Sequence, residues 1–255
     1  MPHTNRRTFL AGAATLSLGG TLRAAEPRTL SILFFGGALP EVQKELEKAY
    51  RTKVLKGGQK PAEGGAKKDA DDVTGLEQLA TADLWIGSAN KRTFPSDEQL
   101  AHFKKYLASG KPFVGYRAAS HVFENWLRAD LDVFGAKYGG HHLLDKEKDP
   151  GLNIEPTKGA ADHAILKGLE PPKPVSGSYK YTEVADDVTV LLKSGLPGDM
   201  MPHTWVRENA KTRGRTFYTR YDAKELATNE TCRAIFLRGI AWALGPVADE
   251  TRLKG

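Results

Sequence analysis

Apolar and polar positions in this chain follow two periods, and their alternation predicts the elements. Thr29–Phe35 is a short apolar run that stops at Gly36-Gly37 and reads as a strand. Pro40 is suited to a first helical position, and Val42, Leu46, Ala49 and Tyr50 then share one face. Thr52–Leu55 reads as a second strand and Asp83–Gly87 as a third. Ser96 and Gln99 form a capping-box pattern, followed by Leu100, Phe103 and Leu107 at helical spacing and a stop at Gly110. Pro112–Gly115 is the fourth strand. This rhythm predicts an α/β fold with a mostly parallel central sheet, in which Leu30–Phe35, Leu84–Gly87 and Phe113–Gly115 lie side by side. The second half is richer in strands, with Val188–Leu192 and Arg215–Thr219, and closes in one helix over Ala223–Leu244. Lys56–Asp72 is Gly/Lys/Asp-rich and reads as a surface loop. No internal repeat and no second domain is visible.

The N-terminus changes the charge picture. Arg6-Arg7 precede an apolar, small-residue run from Phe9 to Leu22, with Ala24-Ala25 at its end. That is a twin-arginine export pattern, so residues 1–25 are expected to be a signal peptide and the mature chain periplasmic or secreted. On this reading the membrane is met only through the export signal. The full chain carries 37 basic and 31 acidic residues, a net +6. Residues 1–25 hold three arginines and no acid, so the remainder carries only +3, spread along the chain. No basic stripe interleaved with aromatics remains, and nucleic acid is not an expected partner. The single cysteine, Cys232, allows no intrachain disulfide and lies in a helical pattern, where a buried structural thiol is expected.

Candidate chemistry concentrates in two stretches, Gly115–Phe123 and Tyr138–His142. The first follows a strand and opens a helical turn, which places polar side chains at the carboxyl edge of a sheet, where open α/β folds bind ligands. Class I glutamine amidotransferases present a nucleophilic cysteine there, within G-x-C-x-G. Here the nucleophile position holds Arg117, a permanent cation that cannot attack a carbonyl but can bind a carboxylate, phosphate or sugar oxygen. His121 follows Arg117 by four residues, and His141 is expected in a glycine-rich loop able to approach closely. Both are candidate proton carriers, weighed against structural roles. Ser120 is read as a helix cap or a substrate contact. Tyr116 and His142 would shape the pocket. Tyr181 and Trp205 would stack on a sugar face or pack in the core. Glu183 and Asp222 are an acid or base if buried near the imidazoles, and surface carboxylates otherwise. No metal-binding motif is present and no cofactor is expected. A divalent metal would require His121, His141, His142, His203 and Asp222 to converge through folding.

Several stretches together resemble the ThuA family. They are Gly115–Phe123, Phe134-Gly135 with Tyr138–His142, Asp162–Leu169, Tyr179–Tyr181 before Val190–Leu192, Gly214–Thr219, and Phe236–Gly245. Their order carries the resemblance, which spans nearly all of Leu30 to Gly245. It implies one domain over residues 28–247, of three-layer flavodoxin-like, class I glutamine amidotransferase-like fold, with a short tail at 248–255. It also implies a sugar or sugar-derived ligand. Two positions depart from the family's usual pattern. Gly36–Leu39 stands where histidines often follow the first strand, and Arg220–Asp222 stands where Gly-His often follows the late Tyr-Thr. The expected partner is a small carbohydrate bound in an Arg/His pocket, with a homo-oligomer left open. The alternatives are a noncatalytic sugar-binding or accessory module and a metal-assisted hydrolase.

Overall fold

Strand β1 (Leu30–Phe35) decides the layering, because its side chains divide between two cores. Leu30, Ile32 and Phe34 belong to one hydrophobic cluster, and Leu33 and Phe35 to the other. A strand buried on both faces belongs inside a sheet covered by helices on each side. The computed structural model describes residues 28–60, 73–89, 92–142, 152–175, 177–245 and 247, with the side chain of His142 outside that description. The twin-arginine segment, the tail at 248–255 and most of the Gly/Lys/Asp-rich loop therefore lie outside the described residues.

Among the described residues one nine-stranded sheet forms the middle layer. Five parallel strands make its core, in the order β2 (Thr52–Gln59), β1, β4 (Leu84–Gly87), β5 (Phe113–Tyr116) and β11 (Arg215–Thr219). Antiparallel strands extend both edges. β3 (Val73–Thr74) pairs with β2, while β10 (Asp199–Glu208), β9 (Val188–Leu196) and β7 (Asn153–Pro156) continue from β11. A separate antiparallel ribbon joins β6 (Ala136–His142) to β8 (Ser178–Val184). α1 (Pro40–Ala49), α4 (Ala223–Thr228) and α5 (Glu230–Leu244) cover one face through Val42, Leu46, Leu226, Phe236 and Ile240. α2 (Asp97–Ala108) and α3 (Ala129–Phe134) cover the other through Leu100, Phe103, Val133 and Phe134. This is the expected three-layer α/β fold, with the three expected strands adjacent and parallel. No helix among the described residues is long and apolar enough to cross a membrane.

Two elements differ from expectation. The second strand runs on to Gln59, because Gly57 stays in register with Phe35 while Gly58 and Gln59 pair with β3. The closing helix breaks at Asn229, whose extended backbone ends α4 and whose side chain accepts the Cys232 N–H to cap α5. Cys232 is buried as expected, and burial pushes its thiol up to about 12.

Gly115 shows how tightly the layers meet beneath the carboxyl edge. A methyl group there would sit 2.5 Å from the Phe134 ring and 3.0 Å from the Ala119 methyl. Gly115→Ala is therefore expected to lower stability by about 1–3 kcal/mol, the usual cost of overpacking. A urea midpoint unchanged from the parent would show that Phe134 can move aside.

Candidate functional site

The parallel strands end together, and the chain leaves β5 through a sharp reversal. Tyr116 is extended, with φ −136° and ψ 151°, and a 3-10 turn over Arg117–His121 follows directly. Arg117 itself has φ +47°, a left-handed backbone that disfavours any side chain with a β-carbon by roughly 1–2 kcal/mol. The Tyr218 hydroxyl donates to the Arg117 carbonyl and helps hold this turn. The turn is tighter than the expected α-helical opening, and it caps nothing with Ser120. That side chain is fully buried, 3.3 Å from the Tyr218 hydroxyl and 3.3 Å from His121 Nδ1.

The β6–β8 ribbon supplies the opposite wall. Tyr138–His142 is a strand rather than a loop, with an irregular register between Tyr138 and Gly140. Gly140, at φ +118°, supplies backbone that other residues rarely adopt. The centre of the site is the Tyr179 ring. Arg117 lies over it at 4.6 Å, and its Nη1 donates to the Gly177 carbonyl at 3.0 Å. His121 and His141 meet the same ring edge-on, at 5.3 and 4.9 Å between centroids. Tyr138 stacks on His121 at 4.0 Å, and its hydroxyl lies 2.7 Å from His141 Nδ1. Arg117, His121 and His141 are thus brought to one place from two separate supports.

The two imidazoles have different electrostatics. Burial, with Arg92, His141 and Arg117 nearby, pushes His121 down to about 3, so it is neutral at any ordinary pH. His141 is exposed to solvent; partial burial and then the Arg117 and Arg220 cations lower it in the same direction. Behind Tyr138, Asp130 is buried beside Arg92 at 3.6 Å, and burial raises its carboxyl to about 7.

The remaining candidates do not all join this cluster. Tyr116 is buried against Phe236, with its hydroxyl at the edge near Gly37. The backbone of His142 pairs with Ser178, while its side chain lies outside the described residues. Trp205 corrects the reading as a sugar platform. It is fully enclosed, stacked 4.1 Å from Tyr218, and its indole N–H donates to the Phe134 carbonyl. Tyr181 is likewise buried, edge-on to Trp205, with its hydroxyl 3.4 Å from that of Tyr218. Asp222 caps α4 in a reciprocal capping box with Glu225. Glu183 is exposed on β8 opposite Lys137, outside the imidazole cluster. His203 is fully buried against Tyr221 and bonded to Thr204. Among the described residues no three His, Cys, Asp or Glu side chains converge to hold a metal ion.

Sequence reasoning missed Arg220, Tyr138 and Tyr179 as members of the site. The signal of Tyr138 and Tyr179 was present in the family-like stretches and that of Arg220 only in a departure from them, and only folding shows that the three share one point.

A cleft of about 290 Å³ opens at the carboxyl ends of β1 and β2, lined by residues other than Arg117, His121 and His141. Gly36, Gly37, Gly57, Gly58, Ala89 and Thr93 line it. It lies where β1 has β2 on one side and β4 on the other, the switch point at which open α/β sheets receive ligands. Gly36, at φ +81°, leaves no room for a side chain, since a β-carbon would meet the Ser88 carbonyl at 2.0 Å. Thr93 ties the cleft to the histidine turn, its N–H and hydroxyl both donating to the Val122 carbonyl at 2.8 Å.

Known structures share this architecture. A putative ThuA-like protein from Bacteroides uniformis ATCC 8492 is similar at a TM-score of 0.56 and 14% identity, with 92% of this chain and 95% of that one covered. A second putative ThuA-like protein, from Parabacteroides merdae ATCC 43184, has a TM-score of 0.53 and 16% identity, covering 86% and 90%. At these identities the likeness concerns the fold alone. No curated protein matches the chain. The family model described as "ThuA: Trehalose utilisation" matches residues 37–243, most of the chain and every element of the histidine and arginine cluster. The chain belongs to the ThuA family.

Proposed function

We propose that this protein is exported, binds a carbohydrate or an oxidised sugar derivative at the carboxyl edge of its sheet, and turns it over with His141 as the proton carrier. The observation that carries this reading is the convergence of Arg117, His121 and His141 on one aromatic ring. Membership of a family described by trehalose utilisation supports the ligand class. Arg117 holds sugar oxygens, since its guanidinium is only partly buried and spends one N–H on Gly177. His141 is neutral near pH 7 because its pKa is lowered, so it accepts a proton there. The Tyr138 hydroxyl orients it. His121 serves as a neutral support beneath Tyr138.

A binding module without turnover is the second reading. It is favoured by the covered, neutral state of His121, which leaves His141 without a second imidazole to return the proton. Purified mature protein should be profiled against glycosides and keto-sugars, with and without chelator. Turnover of any of these supports the enzyme. Saturable sugar binding without turnover supports the module, and loss of turnover on chelation supports a metal-assisted hydrolase.

The export reading has its own test. Replacing Arg6 and Arg7 by lysine keeps the charge but removes the pair that a receptor reads. Cell fractionation should then find the precursor retained inside, and undiminished export would remove the twin-arginine route.

A further inference from the structure

Arg220 is fully buried, and among the described residues no carboxylate pairs with it. Its Nη1 donates to the Ser178 and Ser194 hydroxyls at 2.6 and 2.9 Å, and its Nη2 to the Gly177 carbonyl at 3.1 Å. Its Nε has no hydrogen-bond partner among the described residues. Arg117 donates to the same Gly177 carbonyl, and its Nε and Nη2 make no hydrogen bond to the described residues. Both guanidinium groups lie over Tyr179, at 4.6 and 5.6 Å. Two like charges thus converge on one carbonyl and one ring, and among the described residues no carboxylate forms an ion pair with either. Enclosing an ion costs several kcal/mol unless an opposite charge accompanies it. This protein meets that requirement elsewhere: Arg207, also buried, has Asp187 at 2.8 Å.

We infer that the missing opposite charge arrives with the ligand, so that the site takes an anionic sugar through the paired Arg117 and Arg220. The anion is a carboxylate or a phosphate carried on the carbohydrate. Arg117 contacts it directly through its two uncommitted N–H edges, in the planar geometry that suits either group. Arg220 holds the Gly177 carbonyl and the ribbon in place from below and adds its charge to the field. This goes one step past the carbohydrate reading and rests on it.

The test is calorimetric titration of the mature protein with glucose, glucuronate, glucose 6-phosphate, inorganic phosphate and acetate. At least one charged sugar should bind roughly 10- to 100-fold more tightly than glucose, the range expected for charge-assisted hydrogen bonds. Preference for glucuronate identifies a carboxylate, and preference for glucose 6-phosphate a phosphate. Arg117→Ala should abolish the preference and Arg117→Lys should reduce it, with circular dichroism unchanged. Glucose binding as tightly as both charged sugars overturns the inference and leaves the carbohydrate reading standing. Phosphate or acetate binding as tightly as the charged sugars supports the anion seat and overturns the carbohydrate reading. No binding by any of the five overturns both. A preference that survives in Arg117→Ala also overturns the inference, since the direct contact would then lie elsewhere.

Discussion

Trp205→Ala should lower stability by about 3–5 kcal/mol, the range for emptying a buried tryptophan site. The indole is wholly enclosed between Tyr218 and Tyr181, and its N–H satisfies the Phe134 carbonyl. Truncation would both open a cavity and strand that buried acceptor. Trp205→Phe separates the two effects, keeping most of the volume while losing the donor. It should cost less than the alanine variant and still more than a volume-matched swap. Chemical denaturation would measure both. A tryptophan that instead served as a sugar platform would show little stability change and a large loss of binding.

His141→Ala should lower turnover roughly 10²-fold or more with the fold intact, as expected for a lost general base. The pH profile carries a sharper expectation. A base with a lowered pKa stays competent through neutral pH and fails only as acid protonates it, below the ordinary histidine range. The rate should therefore rise with pH on the acid side and level off before neutrality. Arg117→Ala removes the leading charge that depresses this imidazole, so the acid limb should move to higher pH in that variant. Measurement of kcat/KM against pH in the three proteins checks both statements. Unchanged turnover in His141→Ala would remove His141 from the chemistry. The same substitution at His121 should act differently. Its imidazole supports Tyr138, so its loss should loosen the ribbon and weaken binding.

The parallel core was legible because its strands are short, apolar on both faces and separated by helices of clear period. Leu30–Phe35 shows this directly, since consecutive side chains enter opposite cores. The 3-10 turn after β5 was not legible, because four-residue spacing cannot distinguish it from the start of an α-helix. The ribbon was hidden for a different reason. Gly139-Gly140 reads as a loop by composition, yet β8 supplies a partner strand from some forty residues away. That pairing places His141 on the site. Aromatic residues posed the converse problem. Tyr181 and Trp205 announce packing or stacking by type, but the face of β8 or β10 on which each lies depends on register. Arg220 appeared in the sequence only as a departure from the family's usual residues. A sequence displays a charge without displaying what neutralises it, so its burial, and the lack of a paired carboxylate among the described residues, emerge only when Ser178, Ser194 and Gly177 are seen around it.

The left-handed backbone at Arg117 also bears on how this protein would respond to selection. Glycine adopts that conformation without penalty, whereas arginine does not. A library screened only for heat resistance should therefore accumulate glycine or asparagine at position 117, and the survivors would be hardier molecules without the guanidinium proposed to grip the ligand. Screening under alternating heat and ligand challenge would keep the arginine and push compensating changes elsewhere. Position 117 is thus where robustness and usefulness pull in opposite directions.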